Sequence, residues 1–287
     1  MTYAYKNDVL VDSKSLHISL NDYGFCRGYA LFELMRCYNG KPFRMKAHID
    51  RLYHGIEALH MPVDLNRKDL EQRMFTLLEK NGFTDSVLKM YITMGTPVKE
   101  DFAFSRSKFD PQVYLMNPKF IPVSSMYPYK EKYYTQGISL FLAHTSRVQP
   151  DAKTGCYVSA IEQGLREENK DFDDLLYVNA EDLVSECSRA NIFFIQNNKV
   201  ITPKNGALGG ITKQVVQDIL KNMNIEYIER DISTTEITSM DGSFASGSIA
   251  EIMPISRIGT KVFDPKYFEL SHKVHKGLKK LSAKECA

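Results

Sequence analysis

Residues 175–212 read LLYVNAEDLVSECSRANIFFIQNNKVITPKNGALGGIT. Short apolar runs alternate here with turn residues. Residues 175–178 and 183–185 flank Asn179-Ala180-Glu181-Asp182, and residues 191–195 and 199–202 flank Asn197-Asn198, so two β-hairpins are expected in succession. Gly209-Gly210 then opens a helix with Val215, Val216, Ile219, Leu220 and Met223 on one stripe. Upstream, residues 138–144 read as a strand, and Tyr157, Ile161 and Leu165 as the apolar stripe of a helix. Downstream, Ser233 with Glu236 forms a capping-box pattern, and Leu270, Val274, Leu278 and Leu281 mark a C-terminal helix.

The first half carries the same mixture. Residues 2–6 and 9–11 pair around Asn7-Asp8, residues 29–38 run to an Asn39-Gly40 turn, and residues 87–94 and 112–116 read as strands. Ile49, Leu52, Ile56 and Leu59 share one helical face. Asn66 with Asp69 signals the start of a second helix and Asn81-Gly82 its stop, with Leu70, Met74, Leu77 and Leu78 turned inward. Pro118, Pro122 and Pro128, with Ser124-Ser125 between them, break regular structure, so residues 118–134 are expected to link a domain at 1–117 to one at 135–287. Strands and helices mix without the strict rhythm of a doubly wound sheet. The expected class is α+β, or mixed α/β, in two domains.

Composition narrows the function. A chain of 287 residues with 43% hydrophobic and 25% charged side chains is globular rather than disordered or fibrous. Its 37 Lys and Arg nearly balance 35 Asp and Glu, which argues against a nucleic-acid partner. No apolar run reaches membrane-spanning length, and the first ten residues have no leader pattern. Five cysteines, with no Cys-x-x-Cys and no regular spacing to His, fit a reducing cytoplasm and no metal site. A small-molecule enzyme is the reading that remains.

Several residues could carry its chemistry. Lys153 sits in a loop after a strand, between Pro150 and Gly155, and Glu186 follows Leu183-Val184-Ser185. Each alone reads as a surface charge. Together, an amine able to form an imine and a carboxylate able to hold a pyridine nitrogen protonated are what pyridoxal phosphate requires of a protein. A phosphate cradle is also at hand. Gly209-Gly210-Ile211-Thr212 enters a helix, whose first N–H groups and positive dipole suit an anion. Arg51 and the Ser246-Gly247-Ser248 turn add further donors.

These residues carry a resemblance. Asp22-x-Gly24-x-x-x-Gly28-x-x-x-Phe32-Glu33-x-x-Arg36, His48-x-x-Arg51-Leu52, Asp151-Ala152-Lys153 with Tyr157, Ser185-Glu186 through Asn191-Ile192-Phe193, Gly210-Ile211-Thr212 and Gly247-Ser248 come in order along nearly the whole chain. This pattern resembles the class IV aminotransferases, the fold-type IV pyridoxal-phosphate enzymes that include branched-chain and D-amino-acid aminotransferases and aminodeoxychorismate lyase. The resemblance implies the D-amino-acid-aminotransferase-like fold, a homodimer, and a cofactor held between a small and a large domain. It also implies that Lys153 is the Schiff-base lysine and acid/base, and that Glu186 is the ring-nitrogen partner. Tyr157 is implied at the phenolate oxygen, and Arg51, Ile211, Thr212 and Ser248 at the phosphate.

Amino-acid and 2-oxo-acid substrates follow from the same likeness. Phe32 and Arg36 match the branched-chain enzymes, Tyr91 could line the same pocket, and Ile249 beside Ser248 joins them as a substrate candidate. Tyr23, Tyr29-Ala30 and Met94 depart from common family residues, which bears on the substrate and not on the cofactor. The expected reaction is transamination of a branched-chain L-amino acid with an acceptor such as 2-oxoglutarate. The alternatives are D-amino-acid transamination, pyruvate release from aminodeoxychorismate, and a cofactor-binding protein without catalysis.

Overall fold

The computed structural model describes residues 1–121 and 129–287. The chain divides into two compact units, Met1–Phe120 with Asp151–Cys156 and Ala283–Ala287, and Ile121–Pro150 with Tyr157–Ser282. The loop bearing Lys153, expected with the second domain, therefore groups with the first. Of the expected linker, residues 122–128 lie outside the described residues. On one side of them, Phe120 N–H donates to Asp85 O and Val87 N–H to Pro118 O, so the chain there still pairs with a strand. On the other, a short helix at Glu131–Thr135 interrupts the expected coil.

The first unit is an antiparallel sheet with two helices packed on one face. Its elements are β1 (Tyr3–Lys6), β2 (Val9–Asp12), α1 (Tyr23–Cys26), β3 (Ala30–Tyr38), β4 (Lys41–Pro42), α2 (Met45–Ala58), α3 (Arg67–Asn81), β5 (Ser86–Lys99) and β6 (Lys108–Met116). Strand order is β2-β1-β6-β5-β3-β4. Side chains alternate along β3, so Leu31 and Met35 join Leu88 and Met90 of β5 in a core closed by Ile49, Leu52, Leu70 and Met74 of the helices. Fully burying a side chain of this size stabilises by roughly 1.5–3 kcal/mol. Helix α3 starts where Asn66 accepts from the N–H groups of Lys68 and Asp69, and stops at Gly82 with φ +63°. β5 continues well past Met94 because Gly95, at φ +73°, makes a bulge against β6. A Cβ there would lie 1.6 Å from Asp110 O.

The second unit contains α4 (Glu131–Thr135), β7 (Ile138–His144), α5 (Val158–Gly164), β8 (Asp174–Val178), β9 (Val184–Cys187), β10 (Asn191–Gln196), β11 (Lys199–Thr202), α6 (Ile211–Asn222), β12 (Tyr227–Glu229), β13 (Gly242–Gly247), β14 (Glu251–Ile258), β15 (Lys261–Val262) and, up to Ser282, α7 (Phe268–Glu285). Its strands run β12-β11-β10-β13-β14-β7-β8-β9, and β9 also meets β10 at Glu186↔Asn191. The path from β10 round to β9 thus closes into a barrel of six strands. Phe194, Ile192, Leu176, Ala245 and Ile255 lie in the core of this unit. A second contact, the parallel-stacked Phe193–Phe244 pair at 4.7 Å, joins β10 to β13.

Two helices differ from their expected stripes. In α5, Ile161 and Leu165 are 58% and 81% exposed, and Val158 is exposed too. The four-residue spacing of Tyr157, Ile161 and Leu165 fits a helix, yet of the three only Tyr157 packs against buried residues of its unit, and Ile161 and Leu165 face outward. In α7, the buried face runs through Ser271, Val274, Leu278 and Ser282, because Gly277 lets the helix approach Ile219 of α6 closely. The capping box at Ser233 and Glu236 forms, on a 3-10 turn rather than an α-helix.

Candidate functional site

In the first unit, the loop Asp151–Cys156 is laid on β3 by backbone pairing. Phe32 N–H donates to Lys153 O (2.9 Å) and Gly155 N–H to Ala30 O (3.1 Å), while Ala152 is buried in the core. These bonds fix the backbone from which the Lys153 side chain leaves. Its Nζ lies 4.5 Å from the centre of the Phe32 ring, and that ring stacks on Tyr91 at 6.0 Å. Phe32 and Tyr91 are direct cross-strand partners, which is why the rings meet. Three of the expected residues, Lys153, Phe32 and Tyr91, are therefore one cluster.

Arg51 stands in a buried charge network on the opposite face of β3. Its Nε and Nη2 donate to the two carboxylate oxygens of Glu33 at 2.8 and 2.9 Å, a bidentate pair. His48, one turn earlier on α2, brings Nδ1 to 2.8 Å of the same carboxylate. Burial pushes the Glu33 carboxyl up, but the Arg51 charge and the bonds from His48 and Arg51 outweigh it and hold its pKa down at about 2. His48 is driven down by burial against the pull of Glu33, with Arg51 and Lys153 adding to the fall. A neutral His48 beside an ionised carboxylate must carry its proton on Nδ1. The network locks the plane of the Arg51 guanidinium.

Arg36, expected near substrate, is used otherwise. Its guanidinium pairs with Asp85, donates to Ser86 O and Cys37 O, and lies 3.5 Å from the centre of the Phe120 ring. Four residues along a strand place it roughly 13 Å from Phe32. It is a structural cation.

In the second unit the barrel closure positions the acid. Glu186 on β9 is 2% exposed and accepts from Arg147 Nη1 at 2.9 Å. Burial works against the Arg147 charge, while Glu186 and then Tyr157 hold it protonated. Arg147 Cζ is 6.0 Å from the Tyr157 ring centre. Burial raises the Tyr157 phenol, so at neutral pH its hydroxyl can donate. Arg147 escaped the sequence reading, because one arginine in a loop has no spacing to mark it.

Asn191 ties this acid to the glycine turn. Its Nδ2 lies 3.4 Å from Glu186 Oε2 and 2.9 Å from Leu208 O, and its Cα sits opposite Ser246 of β13. Gly210 must be glycine here, since a Cβ would come within 1.9 Å of Asn191 Oδ1. At Gly209 a Cβ would meet nothing within 4 Å, so the turn borders open space. The helix α6 that begins there has no side-chain cap on its first N–H groups, and Ile211 and Thr212 head it. Among the described residues, Arg147 Nη2 and Ser246 Oγ are buried with no hydrogen-bond partner. Ser248 and Ile249 occupy the turn between β13 and β14.

Residues 30–258 match the family model for amino-transferase class IV. The chain belongs to the class IV aminotransferases. It is 27% identical over 238 residues to a probable branched-chain-amino-acid aminotransferase of Rickettsia bellii, covering 80% of this chain and 78% of that one. It is 24% identical over 274 residues to the D-alanine aminotransferase of Listeria monocytogenes, covering 94% and 92%. Its fold matches the Escherichia coli branched-chain amino acid aminotransferase with a TM-score of 0.82 at 21% identity, over 96% and 94% of the two chains. A 4-amino-4-deoxychorismate lyase from Pseudomonas aeruginosa matches with a TM-score of 0.79 at 20% identity, over 96% and 98%. The mixed α/β fold is thus that of fold-type IV enzymes, and the family depends on pyridoxal phosphate. Among the described residues no helix is long and apolar enough to cross a membrane.

Proposed function

We propose that this class IV aminotransferase binds pyridoxal 5'-phosphate and exchanges an amino group between a branched-chain L-amino acid and a 2-oxo acid such as 2-oxoglutarate. The observation that carries the cofactor reading is the glycine-led, uncapped start of α6, bordered by open space and joined through Asn191 to the buried Glu186. Buried donors without a protein partner, Arg147 Nη2 and Ser246 Oγ, are what a site for a polar, anionic group leaves behind. The residues present fit the group.

When bound, pyridoxal phosphate supplies an electron sink for the electron pair released as the substrate Cα proton leaves. Lys153 is the amine that holds the cofactor covalently and then moves that proton. Its backbone, pinned to β3, keeps the amine beside the Phe32 ring. Glu186 would hold the pyridine nitrogen protonated, and Arg147, donating to Glu186 Oε1, aims the carboxylate. Tyr157 donates to the phenolate oxygen. The N–H groups of Ile211 and Thr212, the Thr212 hydroxyl, Ser248 and Arg51 hold the phosphate, with Arg51 oriented by Glu33.

The stacked Phe32–Tyr91 pair beside Lys153 offers an apolar surface, which supports an aliphatic side chain; Ile249 stays a substrate candidate on the family resemblance. A D-amino-acid transaminase is the second reading, favoured by the relative of that activity across nearly the whole chain. The proposed working form is a homodimer in the cytoplasm. Half-reaction spectra with L- and D-leucine, alanine and glutamate test the proposal. The purified protein is expected to be yellow and to lose its visible band with L-leucine and L-glutamate. A response to the D-isomers alone transfers the case to the second reading, and a protein that takes up no pyridoxal phosphate overturns both.

A further inference from the structure

We propose that Glu251, gripped by His275 and Lys279 of α7, is a positioning residue that shapes the turn carrying Ser248 and so sets the affinity for the cofactor phosphate. This rests on the cofactor reading given above. Glu251 is a non-glycine residue with φ +56°, a left-handed backbone that glutamate adopts only at a cost. It is also buried, at 8% exposure, directly after the turn of Ser248, Ile249 and Ala250. Such a conformation persists where surrounding contacts over-determine it.

Those contacts come from one face of α7. His275 Nε2 lies 2.6 Å and Lys279 Nζ 3.0 Å from Glu251 Oε2. The ring of Tyr134 stacks on His275 at 5.5 Å, its hydroxyl donates to Ala250 O at 3.0 Å, and its own carbonyl accepts from His272 at 2.8 Å. Residues 272, 275 and 279 are spaced to share a helix face. The turn is therefore held at Ala250 by a hydroxyl and at Glu251 by the His275 ring and the Lys279 amine, while Gly247 passes so near Arg189 O that a Cβ would come within 3.2 Å. With both ends fixed, the direction of the Ser248 N–H and hydroxyl is set in the absence of ligand, which is what preorganised anion binding needs. Nothing in the turn's own sequence would impose a positive φ at a glutamate.

The test compares Glu251→Ala, Glu251→Gly and the double variant His275→Ala/Lys279→Ala. Protein stripped of cofactor is titrated with pyridoxal phosphate and, separately, with pyridoxal, which lacks the phosphate. Alanine keeps the strained backbone and loses the grip, so its Kd for pyridoxal phosphate is expected to rise about tenfold, equivalent to about 1.4 kcal/mol. Glycine takes φ +56° freely and is expected to stay within about threefold of wild type. The double variant should follow the alanine variant, and pyridoxal affinity should be unchanged throughout. Equal weakening for pyridoxal and pyridoxal phosphate, a glycine variant as weak as the alanine one, or wild-type affinity in all three overturns the inference alone. A wild-type chain that takes up no pyridoxal phosphate overturns the cofactor reading and this inference with it.

Discussion

Replacing Glu33 by glutamine would separate the Arg51 network from the rest of the first unit. The carboxyl has a folded pKa of about 2 against an ordinary value of 4.5, a difference of about 2.5, which by linkage corresponds to about 3 kcal/mol of stability near neutral pH. A second route gives a similar figure. Removing one partner of a buried ion pair strands the other, here the nearly buried Arg51, and costs roughly 3–5 kcal/mol. Glutamine retains one acceptor, so the expected loss is about 3 kcal/mol. Urea unfolding of cofactor-free protein, followed by circular dichroism, measures it through the transition of the first unit. Because the folded pKa is depressed, the stabilisation is complete above the ordinary carboxyl value and fades as pH falls towards about 2. His48, also depressed, adds a loss that begins as pH drops below its ordinary 6.5. The difference between wild type and variant should therefore hold from about pH 8 to 5 and shrink below the ordinary carboxyl value. A variant within about 0.5 kcal/mol of wild type, the range of an unremarkable surface change, refutes the reasoning.

Arg147→Met leaves the buried Glu186 without the cation that pairs with it, and kcat should fall by about a hundredfold; unchanged kcat with intact cofactor binding speaks against a role for Arg147. Gly210→Ala drives a methyl into Asn191 Oδ1, and cofactor affinity and thermal stability should both drop, the first by at least tenfold in a titration. The Cys37 thiol is pushed up by burial to about 11 and Cys187 well above its ordinary value, whereas Cys26 is exposed. A native thiol titration should show fast reaction at Cys26, abolished in Cys26→Ser, with Cys37 and Cys187 silent until the protein unfolds.

What could be read beforehand was local. Asn66 and Gly82 bracket α3 because a cap and a left-handed stop act within a few residues. Asp22 and Gly24 stand together because the aspartate accepts the glycine N–H at 2.7 Å and Thr93 fills the space a Cβ would need. Chemistry singled out Lys153 and Glu186, but not the Phe32 ring beside the one or the Arg147 pair of the other. What stayed hidden depends on partners far along the chain. The Lys153 loop joins β3 through pairing across about 120 residues of sequence, so its unit was misjudged. Arg36 lost its expected role to Asp85 and Phe120, neither of which the motif contains. In α5, periodicity reported helix but not which side would be covered.

The single-pair closure of the barrel at Glu186 and Asn191 makes the short link between them a gauge block. Loops ordinarily absorb insertions at little energetic cost. Here one added residue between Cys187 and Ala190 would shift β10 by a step against β9, and a step of one turns every side chain to the opposite side of its strand. The acid and the amide that reaches Leu208 would part company, and with them the spacing between Glu186 and the glycine turn. Length variation that other surface segments of this enzyme could accommodate is closed to these few residues.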